Sequence, residues 1–269
     1  MEKQINAEEL KKLQLEILQT VHDFCEKNDI HYSLCGGTLL GAVRHKGYIP
    51  WDDDIDIMMS RPDYERFHRL FNEQEKSSLK VISSLNDAQF FHPFAKLVNT
   101  KTFLIEKYDR KIDSMGVNID IFPLDGLPDD EKKRENYWKK IKRRKFINGC
   151  LYQKNSRKEK GIKKLLRRCL FLLFKPLSGN HFAKKINAFA KNNDYFSSRF
   201  LACSVFGYGK REQMPKEVFE SFVDLDFEGK KFKAMQGYET YLSNIYGDYM
   251  QLPPVEKQVA KHDFEVYWR

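Results

Sequence analysis

Apolar residues recur along the chain with two periods, and the change of period divides it. Near the N-terminus Leu10, Leu13, Ile17, Val21 and Phe24 with Cys25 keep helical spacing, and Asn6 with Glu9 has the form of a capping box. That helix is predicted to end at "NDI" (28–30). "HYSLC" (31–35) reads as a short strand, Gly36-Gly37 as a turn, and "TLLGAVR" as a short helix capped by Thr38. Pro50 blocks helix continuation, "DIDIMM" alternates as a strand does, and Arg61-Pro62 opens the helix "PDYERFHRLF". Over 79–122 the runs "LKVISS", "FAKLVN", "TFLIE" and "VNIDIF" read as strands, with "PLDGLPDD" a turn-rich exit.

From about 130 to 193 the pattern is helical and basic. Beyond it lie a hairpin pattern in "DFEGKKFKA", turning near Gly229, a helix in "GYETYLSNIYG", and an irregular tail after Pro253-Pro254. The expected class is α+β: a mixed β-sheet core with flanking helices over 1–128, then a mainly helical part over 129–269. The second part either stands alone or completes one continuous domain.

Charge changes the picture. Residues 131–175 hold 18 Lys and Arg against 3 Asp and Glu, whereas the rest of the chain holds 29 against 35. A slightly acidic body thus carries one strongly basic segment, which calls for an anionic partner. Within it, "GIKKLLRRCLFLLF" places Ile162, Leu165, Leu166, Cys169, Leu170 and Leu173 on one helical side and Lys163, Lys164, Arg167 and Arg168 on the other. That pattern suits either an anionic membrane surface or a buried helix with a solvated basic back. The segment lacks the regular aromatic interleaving that base stacking uses, so no nucleic-acid partner is expected. Five cysteines, never as C-x-x-C, read as reduced thiols. With no signal-type apolar segment and no run near the ~20 residues of a membrane span, the expected location is cytoplasmic, either free or at the inner face of the cytoplasmic membrane.

The chemistry concentrates in "GYIPWDDDIDIMMS" (47–60). On a strand, Asp52, Asp54 and Asp56 share one face and Ile55 and Ile57 the other. Carboxylates at that range raise one another's pKa, and a hard divalent ion, Mg²⁺ or Mn²⁺, relieves them. A calcium loop of EF-hand type is excluded, because Ile57 and Asp63 stand where its Gly and Glu belong. "VNIDIFPLDG" repeats the apolar-Asp-apolar pattern at Asp120. If the two strands are neighbours, Asp54, Asp56 and Asp120 form a metal and catalytic set for displacement at phosphorus. Gly36, Gly37 and the helix opening at Thr38 offer backbone N–H groups to a phosphate. Arg44 and His45 are placed either to grip diphosphate oxygens or to lie at an exposed helix end. Lys96, inside an apolar strand, requires a phosphate or an acidic partner.

The order Gly-Gly, Asp-x-Asp and third acidic strand resembles the nucleotidyltransferase fold. "GGTLLGAVRHKGYIPWDDDIDI", "NIDIFPLDGLP" and "YGDYMQLPP" resemble the LicD family, and the long 38–53 interval favours that branch over other nucleotidyltransferases. His262 stands where it resembles a family histidine of the substrate site. The resemblance implies metal-dependent transfer of phosphorylcholine from CDP-choline to a hydroxyl of a cell-surface glycan or a lipid-linked teichoic-acid precursor, with release of CMP. On the same fold, transfer of another CDP-linked polyol- or sugar-phosphate, or of a nucleotidyl group from an NTP, remains open. Choline's ammonium suits aromatic faces, and Tyr48, Trp51, Tyr246, Tyr249 and Trp268 are available.

Overall fold

The structure, a computed structural model, describes residues 3–75, 77–107, 109–152, 161–174, 179–205, 207–259 and 263–269. Helix α1 (Ala7–Asn28) starts where its sequence predicts: the Asn6 side chain accepts a hydrogen bond from Glu9 N–H, and Asp29, in the left-handed region at φ 51°, closes it. Strand β1 (Ser33–Leu34) then enters helix α2 (Gly36–His45) directly. Gly36 and Gly37 are therefore the first helical residues and not a turn ahead of the helix. Cys35 is the cap residue, and Gly36 at φ 53° makes the switch from extended chain to helix in one step. Thr38 does not cap; its hydroxyl accepts the Asp56 N–H at 2.8 Å and ties α2 to the next strand.

That strand, β2 (Asp56–Ser60), begins only at the last residue of the acidic run. Asp52 N–H bonds to Ile49 O, so the chain is still turning at 49–52, and Asp52, Asp53 and Asp54 precede the strand. Helix α3 (Arg61–Gln74), capped by Ser60 with Pro62 in its first turn, leads to β3 (Leu79–Ile82), β4 (Ala95–Asn99), β5 (Thr102–Glu106) and β6 (Asn118–Gly126). The predicted exit "PLDG" is thus the second half of β6. Pro123 is tolerated there because β4 pairs with β6 only as far as Ile121 and β7 (Phe200–Ala202) takes over at Asp125, leaving no ladder on that edge for a missing N–H to break.

The main sheet runs β1-β2-β6-β4-β3, with β7 and β8 (Met214–Pro215) continuing from β6; β2 and β6 are parallel and the other pairs antiparallel. Helices α4 (Glu131–Tyr152), α5 (Ile162–Phe174) and α6 (His181–Ala190) fill the predicted helical stretch. After residue 199 the chain is not mainly helical. It holds the hairpin of β9 (Phe222–Phe227) and β10 (Lys230–Met235), helix α7 (Tyr238–Tyr246), and β11 (Phe264–Trp268) in place of the expected irregular tail. Glu228 and Gly229, both at positive φ, make the hairpin turn near where it is predicted. Strand β11 pairs with β5 and β7 with β6, so late strands are completed by early ones. The sheet is further fastened to α3 and α6 by Arg61, which donates to both Asp125 carboxylate oxygens (2.7 and 2.8 Å) and to Asn187 Oδ1 (2.9 Å) in a buried, bidentate arrangement. Four of the five cysteines are buried and Cys169 is exposed.

Candidate active site

Register builds the centre of the site. Asp56 of β2 lies opposite Asp120 of β6, and Asp120 N–H bonds to Ile55 O at 2.9 Å. On β6's other side Lys96 of β4 also lies opposite Asp120. Lys96 Nζ ion-pairs with the Asp120 carboxylate and donates to Asn118 Oδ1 at 3.1 Å. Burial alone would push the Lys96 amine down, but the Asp120 charge and hydrogen bond, with Glu106 and Asp56, more than offset it and hold the amine above its ordinary value. The Asp56 carboxyl is driven well above the carboxylate range by burial first, then by the charges of Asp54, Asp120 and Asp52.

The acidic loop is held from outside the sheet. Gln14, the polar member of α1's buried face, donates from Nε2 to Asp53 O at 2.9 Å and to Asn118 O at 3.5 Å, and Tyr48 O–H donates to Gln14 Oε1 at 3.2 Å. One amide thus fixes the loop against the start of β6. Asp53, Asp54, Lys96 and Asp120 then line a cleft of about 210 Å³ together with Glu106, Asp109, Asn118 and Asp263. Asp52 opens the other way. It lines a second cleft, of about 620 Å³, with Gly37, Arg44, Trp51, Tyr246, Tyr249 and Lys257. A Cβ on Gly37 would meet Asp52 Oδ2 at 2.4 Å, so the absent side chain is what lets this carboxylate lie against the first turn of α2.

The predicted residues therefore divide. Asp54, Asp120 and Lys96 share the smaller cleft, with Asp56 buried beside Asp120. Gly37 and Arg44 face the larger one. Gly36 N–H donates to the Tyr241 hydroxyl at 3.4 Å. Arg44 donates from Nη1 to Tyr249 O (2.8 Å) and Gln251 O (3.3 Å) and from Nε to His45 Nε2 (3.0 Å), so Arg44 builds the wall of that cleft with His45 behind it rather than lining it. Burial, then the Arg44 charge, holds the His45 imidazole below its ordinary value, in keeping with its acceptor role. His262 lies outside the described residues.

Among the described residues, the group of three carboxylates whose oxygens all lie within 4.8 Å of one another is Asp52, Asp53 and Asp54. Asp53 and Asp54 thus belong both to this trio and to the cleft that Asp120 lines, whereas the predicted set of Asp54, Asp56 and Asp120 does not meet within that distance. All these donors are carboxylate oxygens, and the depth of charge around Asp56 is what a divalent cation would relieve, so the residues fit Mg²⁺ or Mn²⁺. Several cleft residues escaped the sequence reading. Gln14 reads as part of an amphipathic helix, and Glu106, Asp109 and Asp263 carry no shared spacing. They meet only because β11 closes on β5, where Lys107 N–H bonds to Asp263 O at 3.2 Å.

Fold and site together define a mixed α/β protein with an acidic cleft over strands β4 and β6 and a second, aromatic cleft behind the same loop. The chain belongs to the LicD/FKTN/FKRP family, whose nucleotidyltransferase domain matches residues 29–163. It is 35% identical over 269 residues, 98% of this chain and 99% of the relative, to the lipopolysaccharide cholinephosphotransferase LicD of Haemophilus influenzae. Shorter likenesses reach uncharacterised proteins of Rickettsia typhi, 36% identical over 29% of this chain and 26% of the relative, and Rickettsia prowazekii, 38% over 24% and 25%.

Proposed function

We propose that this transferase moves the phosphocholine group of CDP-choline onto a hydroxyl of a cell-surface glycan, either a lipopolysaccharide sugar or a teichoic-acid precursor. The observation that carries the reading is the end-to-end likeness to a cholinephosphotransferase. The cleft supports it with residues suited to displacement at phosphorus. The acceptor oxygen bonds to the phosphorus that bears choline, the bond from that phosphorus to the oxygen bridging it to CMP breaks, and CMP leaves with the bridging oxygen. Asp120 orients the acceptor hydroxyl and takes its proton. Lys96, cationic and fixed by Asp120 and Asn118, offsets charge on the transferring group.

A divalent cation held by Asp54 and Asp56, with Asp120 completing the set, would neutralise diphosphate charge. The larger cleft takes the nucleotide: its Arg44 and Lys257 suit phosphate, and Trp51, Tyr246 and Tyr249 offer faces to the base or to the choline ammonium. The test is a panel of donors, CDP-choline, CDP-linked polyols and CTP, incubated with Mg²⁺ and glycan acceptors while CMP and pyrophosphate are scored. CMP from CDP-choline alone is expected. Pyrophosphate from CTP without CMP release would replace this reading with nucleotidyl transfer.

A further inference from the structure

Among the described side chains of helix α5, Phe171 and Phe174 on one side meet the body. Phe171 lies under the Arg110 guanidinium, 4.7 Å from ring centroid to Cζ, and Phe174 meets Phe182 of α6 edge-on at 5.2 Å. On its other side Leu165, Leu166, Leu172 and Leu173 are 61, 50, 61 and 68% exposed, and Cys169 between them is exposed too. Positions 165, 166, 169, 172 and 173 fall at helical spacing, so these five side chains form one stripe. The side chains of Ile162, Lys163, Lys164 and Arg167, assigned to the two faces from sequence, lie outside the described ones.

A continuous leucine stripe on water marks an interaction surface, and the charge around it says which kind. Arg168 on α5 is exposed, and α4, which packs against α5, exposes Lys139, Lys140, Lys142 and Arg143. The segment carrying both helices holds 18 basic residues against 3 acidic ones. A protein partner would need a matching acidic groove, whereas an anionic bilayer supplies apolar depth and negative headgroups at once. Spanning is ruled out for these helices: at ~1.5 Å per residue α5 is roughly 20 Å long, and no described helix is long and apolar enough to cross a membrane.

We infer that α5 is a docking helix that lies in the plane of an anionic membrane surface with its leucine stripe in the headgroup–acyl boundary. The same helix is fastened to the site. Arg110, stacked on Phe171, also donates its N–H to Tyr152 O at 3.0 Å, and its neighbour Asp109 lines the acidic cleft. Docking therefore holds a wall of that cleft near the lipid, where an acceptor carried on a lipid would arrive. This last link rests on the transfer reading above; the docking does not.

The experiment is flotation of the full chain with vesicles of phosphatidylglycerol and phosphatidylcholine, against vesicles of phosphatidylcholine alone, for wild type, L172Q/L173Q and L165Q/L166Q. Wild type should bind the anionic vesicles at least about 10-fold more tightly, with binding weakened by added salt. Each double variant should lose about 10-fold or more, while CMP release with a soluble acceptor stays within about 2-fold, as expected for surface changes. Binding that ignores lipid charge, or that survives both double substitutions, overturns the inference. So does a concentration-dependent dimer in sedimentation that the substitutions abolish, since the stripe would then be a self-interface. Docking with no CMP release under any condition would uphold the membrane surface and remove the transfer reading alone.

Discussion

The two clefts that meet at the Asp52–Asp54 loop are made in different ways. The smaller is floored by strands in register, so the positions of Asp120 and Lys96 follow from the hydrogen-bond ladder, and that of Asp56 likewise. The larger is walled by α2, α7 and the 248–257 tail, and side chains hold it together: Arg44 clasps two carbonyls of the tail, and the Tyr208 and Tyr246 hydroxyls meet at 2.6 Å. Ladders hold atoms to within fractions of an ångström, as bond making requires, whereas a side-chain-built cavity offers volume and faces. On the proposed reading chemistry falls to the first cleft and donor binding to the second, so substitutions on each side should separate kcat from KM.

The largest effect is expected at the ladder. Asp120→Asn should lower kcat for CMP release by about 1,000-fold, which is about 4 kcal/mol of barrier, read at a temperature below a thermal midpoint that itself falls because buried Lys96 loses its charged partner. Chelation of divalent cations should abolish turnover to a similar extent in the wild type, and re-addition of Mg²⁺ should restore it. A variant retaining near-normal kcat would break the assignment of chemistry to the smaller cleft.

A second, smaller effect concerns the support behind α2. Glu212 is fully buried, and burial outweighs the Tyr241 hydroxyl and the Lys145 and Arg211 charges to push its pKa to about 8. It lies by Tyr241, whose hydroxyl receives the Gly36 N–H. Because the folded value is raised, folding takes up a proton between the ordinary carboxylate range and about pH 8, so stability is greatest on the acid side and falls as pH rises through that window. At about 1.36 kcal/mol per pKa unit the loss reaches a few kcal/mol. Glu212→Gln should flatten this decline in melting experiments between pH 5 and pH 9, converging with wild type at the acid end; parallel curves would show that Glu212 does not titrate there.

In the larger cleft, Arg44→Ala should raise KM for the nucleotide donor by about 10-fold, about 1.4 kcal/mol, and leave kcat within about 3-fold. A loss in kcat alone would mean that the two clefts do not divide the work as argued.

What could be read from residues alone follows the same division. Asp56 and Asp120 announce themselves because each sits between apolar residues with the period of a strand, but that the two strands are neighbours shows only in the register of β2 with β6. The hairpin at Glu228-Gly229 was legible for a similar reason, since the turn demands residues tolerant of positive φ. Thr38 was misread because a hydroxyl at the start of a helix looks like a cap, and only the approach of β2 shows that it accepts the Asp56 N–H instead. The alternation of Asp52, Asp54 and Asp56 was likewise extended too far, because the turn at 49–52 delays the strand. Asp263 and Glu106 could not be linked at all, because the pairing of β5 with β11 spans most of the chain and leaves no local trace.

Gln14 tests the boundary between the clefts most finely. Its amide ties the carbonyls of Asp53 and Asn118, so it sets the distance between the acidic loop and the strand that carries Asp120, without lining up as a ligand itself. Gln14→Ala removes hydrogen bonds to two backbone acceptors and should cost about 1–2 kcal/mol of stability. Its effect on turnover should exceed that cost in one direction only: kcat should fall by about 10-fold, since the loop would hold Asp54 less firmly against Asp120, while KM for the donor stays near its wild-type value because Arg44 and Trp51 are untouched. Gln14→Glu sharpens the result. It keeps the length and the acceptor for Tyr48 but replaces the donating amide with a charge facing two carbonyls, so it should be at least as slow as the alanine variant. If both variants instead raised KM and spared kcat, the Asp52–Asp54 loop would belong functionally to the larger cleft.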